Sequence, residues 1–285
     1  MINKVLITGA NGYIGSHFAN HLIQLAQFQV IATDILNTNL NKEIFFIPCD
    51  LTKVSKNEKL YQTFNAPDIC VHLAWRDGFE HNKTTHLEDL PMHFNFLKNL
   101  IDHGVAHIVI AGSFREYGKV NGKTEPDSII VPENLYCLSK LTLKRALEIY
   151  IHDKNVCLQW IRPFTVYGDD EKNHSLMSKI ICWEKEGKKS FPFTNGDEQY
   201  DYIHISELCE QLTAIISQKE VDGVIDCCSG KATRLGDKIE EFIKERNMGI
   251  RPQYGAFPTR EYDSPVIIGN DTKIKKIMTA RNGIK

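Results

Sequence analysis

Short apolar runs alternate with longer segments of helical periodicity through the first half of the chain. KVLITG, QVIATD, IFFIPCD, DICVHLAW, AHIVIAGS and VCLQWIRP have strand length, and their apolar positions are continuous rather than alternating. A strand with both faces apolar is buried on both sides, which is the habit of a parallel sheet between helix layers. Between these runs the spacing predicts helices over Tyr13–Ala26, Lys56–Phe64, Leu87–His103 and Glu133–His152. The expected class is α/β, a parallel sheet with helices on both faces.

After Pro163 the rhythm changes. HSLMSKIICWEKEG reads as a helix outside the earlier alternation, and SFPFTNGDEQYDYIHI as mixed loop and short strand. SELCEQLTAIISQ is a helix and GVIDCCSG a strand that returns to the sheet; LGDKIEEFIKERN, a Pro-rich turn region and a short terminal helix follow. This assigns 1–163 and 201–230 to the sheet domain, and 164–200 and 231–285 to a smaller mixed α/β lobe. Internal repeats and low-complexity tracts are absent from the sequence.

Composition narrows the function classes. The 285 residues are enough for a full core, and a formal net charge of −2 gives no global field to recruit nucleic acid or an anionic membrane. An anionic ligand must be held by local donors. The opening run VLI is closed at once by Thr8 and Gly9, unlike a signal peptide, and no apolar run approaches the roughly 20 residues of a membrane span. The eight cysteines form no CxxC pair, so they read as reduced thiols of a cytoplasmic protein. The adjacent Cys227 and Cys228 lie in strand context, which speaks against a redox pair. His72, His81, His86, His93, His103 and His107 match no zinc spacing, so no metal site is expected.

TGANGYIG carries the first chemistry. Gly9, Gly12 and Gly15 leave a strand and open a helix; amides at a helix N-terminus attract phosphate, and glycine lets a pyrophosphate come close. The spacing is GxxGxxG, weak alone but strong between a first strand and a helix. Asp34 ends the second strand about 20 residues beyond the turn, where a carboxylate accepts from adenosine ribose hydroxyls and repels a 2′-phosphate. That favours NAD(H), with NADP(H) second; the plainer reading has Asp34 capping a turn. Asp50, at the end of the third strand, is placed to reach the adenine amino group, with Leu73, Ala74 and Trp75 bordering the cofactor.

LYCLSK places Tyr136 and Lys140 one helical turn apart on one face. An ammonium near a phenol lowers its pKa from about 10, giving an acid/base that moves a hydroxyl proton while hydride leaves the neighbouring carbon. Without a dinucleotide site nearby, the same pattern is a tyrosine packed beside a lysine.

TGANGYIG, Asp34, CDLT, HLAW, GSFREYG, YCLSK and RPFTVYG occur in the order seen in the extended short-chain dehydrogenase/reductase superfamily, and DYIHISEL and FPTREYD extend the resemblance over nearly the whole chain. The resemblance implies a Rossmann-type doubly wound parallel sheet, a nicotinamide cofactor and a nucleotide-sugar substrate held by the C-terminal lobe. By position, Tyr136 is the general acid/base, Lys140 binds the nicotinamide ribose and tunes Tyr136, and Ser113 bonds the reacting oxygen. The implied cofactor set is Gly9, Asn11, Gly12, Tyr13, Ile14, Gly15, Asp34, Asp50, Leu51, Leu73, Ala74, Trp75, Tyr136, Lys140 and Pro163. The implied substrate set is Arg76, Phe114, Thr165, His174, Tyr200 and Arg260. Arg260 matches an arginine that grips the substrate diphosphate; a surface salt bridge is its other reading. Arg76 reads equally as a sugar or phosphate contact and as a partner of Asp77.

Four positions depart from the family pattern. Thr165 replaces the usual Asn, and Tyr200 an Arg, so Tyr200 either stacks on a base or packs. Phe114 and Arg115 follow Ser113 where the 4,6-dehydratases of the superfamily carry an acidic pair, which argues against dehydration. The chain is therefore expected to be an NAD(P)-dependent 4-ketoreductase of nucleotide-linked 6-deoxysugars in deoxysugar biosynthesis. A C4 epimerase using the same tyrosine is the alternative, and a non-catalytic dinucleotide sensor a remote one. The resemblance further implies a homodimer through the helices Leu87–His103 and Glu133–His152.

Overall fold

The computed structural model describes residues 2–54, 59–126, 128, 130–172, 175–259 and 263–283. Its main sheet has seven strands, all parallel: Gly223–Cys227, Cys157–Pro163, His107–Ala111, Ile69–His72, Lys4–Thr8, Gln29–Asp34 and Phe45–Pro48, in that spatial order. The order reverses between Lys4–Thr8 and Ile69–His72. A crevice opens at such a switch point, beyond the carboxyl ends of the strands. Both strands flanking it lead straight into predicted site residues, Gly9 from one and Leu73 to Trp75 from the other.

Alternate residues of each strand feed two separate cores, which explains the continuous apolar runs. Leu6, Ile31, Cys70, Ile108, Ile110 and Trp160 pack with Phe96, Leu100, Leu143 and Leu147 of the helices Leu90–Asp102 and Leu135–Tyr150. Their neighbours Val5, Ile7, Ala32, Val71, Val109 and Ile161 pack on the other face with Phe18, Leu22, Leu208 and Leu212 of the helices Tyr13–Leu25 and Ile205–Ile216. Buried apolar area at about 25 cal/mol per Å² is what holds both layers to the sheet.

A second sheet joins Ala232–Arg234, Gln199–His204, Val266–Ile268 and Asn121–Lys123, and Thr165–Tyr167 pairs alongside Gln199–His204. Asp201 fastens it to the end of the main sheet: the buried carboxylate accepts from the amides of Ser229, Gly230 and Gly269 and from the Ser229 hydroxyl. A third core, with Met177, Ile180, Phe191, Phe193, Ile239, Phe242 and Ile250, lies between the helices Leu176–Lys185 and Leu235–Glu245.

Two helix expectations need correction. The stretch expected as one helix over Leu87–His103 is two, Thr85–Glu88 and Leu90–Asp102. Pro91 lacks an amide hydrogen and belongs in a first helical turn, so a new helix starts there. Of Lys56–Phe64, Leu60–Thr63 is helical, and Lys56 lies outside the described residues. Among the described residues no helix is long and apolar enough to cross a membrane.

Candidate active site

The glycine turn is built by close contact. Gly9 has φ +66°, and a Cβ on it would lie 2.6 Å from the amide nitrogen of Ala74, so the turn presses directly on the segment leaving Ile69–His72. A Cβ on Gly15 would lie 2.1 Å from Gly9 O, which forces glycine where the helix crosses its own turn. Gly12 is exposed, and a Cβ there would meet only Gly9 O, at 3.1 Å. No side chain caps the helix that begins at Tyr13. The first-turn amides of Tyr13, Ile14 and Gly15 therefore form a donor set open on the Gly12 side, which fits the pyrophosphate of a dinucleotide.

Asp34 stands beside this turn. Its Oδ2 accepts from the Asn11 amide at 2.9 Å and its Oδ1 from the Ile35 amide at 2.7 Å. Asp34 thus braces a turn, and each oxygen keeps a lone pair for a further donor. Asn11 is a strut as well, its side chain and carbonyl accepting from Asn39 at 2.9 Å each. Asp50 caps the short 3₁₀ turn Leu51–Lys53, accepting from Thr52 Oγ1 at 2.7 Å and pairing with Lys53 at 3.1 Å. Those hydrogen bonds hold its carboxyl below the usual range.

Tyr136 and Lys140 lie next to this crevice. Both belong to the helix Leu135–Tyr150, which Asn134 caps by accepting the Cys137 amide at 2.9 Å. The Lys140 ammonium is buried, donates to Ala111 O at 2.6 Å and sits 3.8 Å above the ring of Trp75. Trp75 follows Ala74, the residue in contact with Gly9, so the contacts run unbroken from the glycine turn to Lys140. The indole is held flat on His93, with centroids 4.4 Å apart, and donates from Nε1 to His86 Nδ1 at 3.1 Å. His93 bonds His72 at 2.9 Å, and His72 bonds Thr8 Oγ1 at 2.8 Å. Burial keeps His72 far down, at about 3, so this relay is neutral and supports Trp75 without charge.

The Tyr136 ring is half-buried against Trp75, His81 and His86, and Ser113 comes within reach of its hydroxyl. Here one expectation is corrected. The Tyr136 pKa is raised rather than lowered, because burial outweighs the Ser113 hydrogen bond and Glu116 adds negative charge nearby. Lys140 suffers the same burial and is pushed down to about 7. The phenol is thus neutral, the form that delivers a proton.

A cavity of about 310 Å³ opens at the N-terminal end of the helix Leu135–Tyr150. Phe79, His81, Phe114, Arg115, Glu133, Asn134, Tyr200 and Asp263 line it, which puts predicted substrate residues Phe114 and Tyr200 on its wall. Phe114 is stacked on Phe164, and Arg115 faces Asp263 at 3.7 Å. Thr165 and Pro163 sit in strands behind this wall, half-buried and buried. Arg76 is corrected in its partner: it forms a two-pronged pair with Asp89, not Asp77, and Asp77 instead binds Lys83 and Thr85. His174 and Arg260 lie outside the described residues.

Sequence reasoning missed the buried group behind Ser113. Glu116 is fully buried and accepts from the Ser113 amide at 2.9 Å, from Trp160 Nε1 at 3.1 Å and from Arg162 Nε at 2.8 Å. The available signal was S-x-x-E, the capping-box spacing, which Ser113 and Glu116 do form.

The model of the NAD dependent epimerase/dehydratase family matches residues 5–228. A relative, the dTDP-6-deoxy-L-talose 4-dehydrogenase (NAD(+)) of Aggregatibacter actinomycetemcomitans, is 34% identical over 272 residues, 93% of this chain and 99% of that protein. The GDP-6-deoxy-D-talose 4-dehydrogenase of the same organism is 23% identical over 281 residues, 96% of this chain and 91% of that protein. The solved structure of Thermus thermophilus UDP-glucose 4-epimerase with NAD has a TM-score of 0.78 at 20% identity, covering 98% of this chain and 93% of that one; this is a likeness of fold. With the family model spanning most of its length and a relative matched end to end, this chain belongs to the NAD dependent epimerase/dehydratase family.

Proposed function

We propose that the protein reduces the 4-keto group of a nucleotide-linked 6-deoxysugar, with NAD(H) as the favoured cofactor. The observation that carries this reading is the neutral Tyr136 phenol beside Ser113, next to the wall residues His81 and Asn134 of the cavity, with Lys140 buried one helical turn on. When bound, a nicotinamide would supply the hydride for the carbonyl carbon. Tyr136 delivers the proton to the carbonyl oxygen, and Ser113 orients that oxygen by a second hydrogen bond. Lys140 keeps a positive charge beside the phenol as it loses its proton, which steadies the phenolate. Gly12 and the amides after it would hold the pyrophosphate, and Asp34 would take the ribose hydroxyls and disfavour a 2′-phosphate.

The two 4-dehydrogenase relatives support the reaction class, since oxidation at C4 is the same transfer run backwards. The residues that follow Ser113 support it too: Phe114 and Arg115 offer no carboxylate with which to remove water from the sugar. The test is a panel of dTDP-, GDP-, CDP- and UDP-linked 4-keto-6-deoxysugars, each with NADH and NADPH, with products read by NMR. Steady NADH consumption with a hydroxyl formed at C4 is expected. Inversion at C4 without net cofactor turnover would identify an epimerase and overturn the proposal.

A further inference from the structure

We infer that Glu116 is a positioning residue whose buried carboxylate, anchored by Arg162 and Trp160, holds Ser113 against Tyr136. This rests on the reading that Ser113 and Tyr136 handle the reacting oxygen.

Stability alone does not account for the pair. Glu116 and Arg162 are 0% and 1% exposed, and burying two charges costs several kcal/mol per ion before their attraction offsets it. Apolar residues of the same volume commonly serve stability as well or better. Arg162 Nη1 is buried without a hydrogen-bond partner among the described residues, a further cost. What the carboxylate does that apolar residues could not is grip the catalytic turn. Its Oε1 takes the Ser113 amide at 2.9 Å, while Ser113 Oγ accepts from the Arg115 amide at 3.2 Å, so the backbone and the rotamer of Ser113 are fixed from the same turn. Gly112 permits this approach: a Cβ there would lie 2.2 Å from Trp160 Nε1 and 2.5 Å from Glu116 Oε1.

The anchor is itself secured. Arg162 lies 4.3 Å over the Tyr117 ring, and Tyr117 donates to Asp226 at 2.7 Å. Asp226 also accepts from Thr124 Oγ1 at 2.7 Å and from the Asn270 amide at 3.0 Å. Ser113 is therefore tied through Glu116 to the outermost strand of the main sheet. The charge reaches the site as well. Tyr136, Cys137 and Lys140 face Glu116 from the helix, Arg115 and Tyr117 lie on its own turn, and Arg162 comes from the strand. Its negative charge raises the pKa of all three helix groups.

Two neutral double variants of the full chain separate positioning from stability. Glu116→Gln/Arg162→Met keeps an acceptor for the Ser113 amide; Glu116→Leu/Arg162→Met removes it, and neither leaves an unpaired buried charge. Relative to the Gln variant, the Leu variant should lose turnover by about tenfold with KM changed less than about threefold. Its Ser113 amide should also exchange with solvent about tenfold faster, measured by NMR without substrate. Equal turnover and equal exchange in the two variants would overturn the inference. Should the Leu variant not fold, Glu116→Asp decides: it keeps the charge but falls one methylene short of Ser113. Its loss of turnover should vanish in a Ser113→Ala background, and an undiminished loss there overturns the inference. Tyr136→Phe is run alongside. If it turns over like the parent, the reading of the site has failed; if it is dead while the double variants match, only the role of Glu116 falls.

Discussion

Replacing Lys140 by Met should make the protein more stable, and by an amount that depends on pH. The Lys140 side chain is 3% exposed, and its ammonium has one carbonyl partner, at 2.6 Å, and one aromatic face, at 3.8 Å. Three N–H donors are thus served by a single acceptor. Burial holds its pKa at about 7, against 10.5 for a free lysine. Between those two values the unfolded chain binds a proton that the folded chain lacks, so this group makes stability rise with pH across that window and leaves it flat on either side. At ~1.4 kcal/mol per pH unit, the gap of roughly 3.5 units amounts to ~5 kcal/mol of destabilisation at and below neutrality. Met keeps the apolar stem and removes the charge, so the variant escapes this cost. Thermal unfolding of parent and variant, without cofactor, is compared at about pH 6.5 and pH 9.5. The variant should melt higher at the lower pH by about 5 to 10 °C, taking ~2 °C per kcal/mol for a chain of this size. The advantage should shrink by more than half at the higher pH, because by then the parent lysine is neutral when folded. A difference that does not change with pH, or a variant less stable near pH 6.5, would refute the reasoning. The stabilised variant should also have lost turnover, which is the usual trade at a strained site.

Three further outcomes are expected. Asp34→Ala should weaken NADH binding about tenfold, equivalent to ~1.4 kcal/mol, and narrow the preference over NADPH; fluorescence titration showing an unchanged preference would count against the ribose role. Gly15→Ala puts a methyl 2.1 Å from Gly9 O and should cost about 2 kcal/mol or more of stability along with cofactor binding; a parent-like Tm and Kd would contradict the close-packed turn. Leu138 and Ile149 are 40% and 62% exposed on the helix Leu135–Tyr150, so the chain should sediment as a homodimer and Ile149→Glu as a monomer; a parent that sediments as a monomer would contradict this.

How far these features could be read from sequence depends on the range of the interaction behind them. KVLITG and AHIVIAGS were legible because both faces of their strands are buried, and that leaves an unbroken apolar run. The Tyr136–Lys140 pair was legible because four-residue spacing is a local rule of the helix. Asn121–Lys123 was not legible: NGK has no apolar pattern, and it becomes a strand by pairing with Val266–Ile268, far along the chain. The partner of Arg76 was missed for a similar reason, since Asp89 comes within reach once the helix breaks before Pro91. The direction of the Tyr136 shift failed on magnitude. Proximity to Lys140 was foreseen, but the burial both groups share was not, and burial dominates. Glu116 carried a readable spacing, yet its inward course is decided by Trp160 and Arg162 from a strand more than 40 residues on.

The central claim is that Tyr136 gives a proton to the C4 oxygen of a nucleotide-linked keto-sugar while hydride is added to C4. Deuterium transfer tests it most directly. The protein is incubated with NADH deuterated at the transferable position and a nucleotide-linked 4-keto-6-deoxysugar, and the product is read by NMR. One deuterium at C4 for each NADH consumed, abolished in Tyr136→Phe although NADH still binds, is the predicted result. Deuterium absent from C4, or full transfer by the Tyr136→Phe protein, would contradict it.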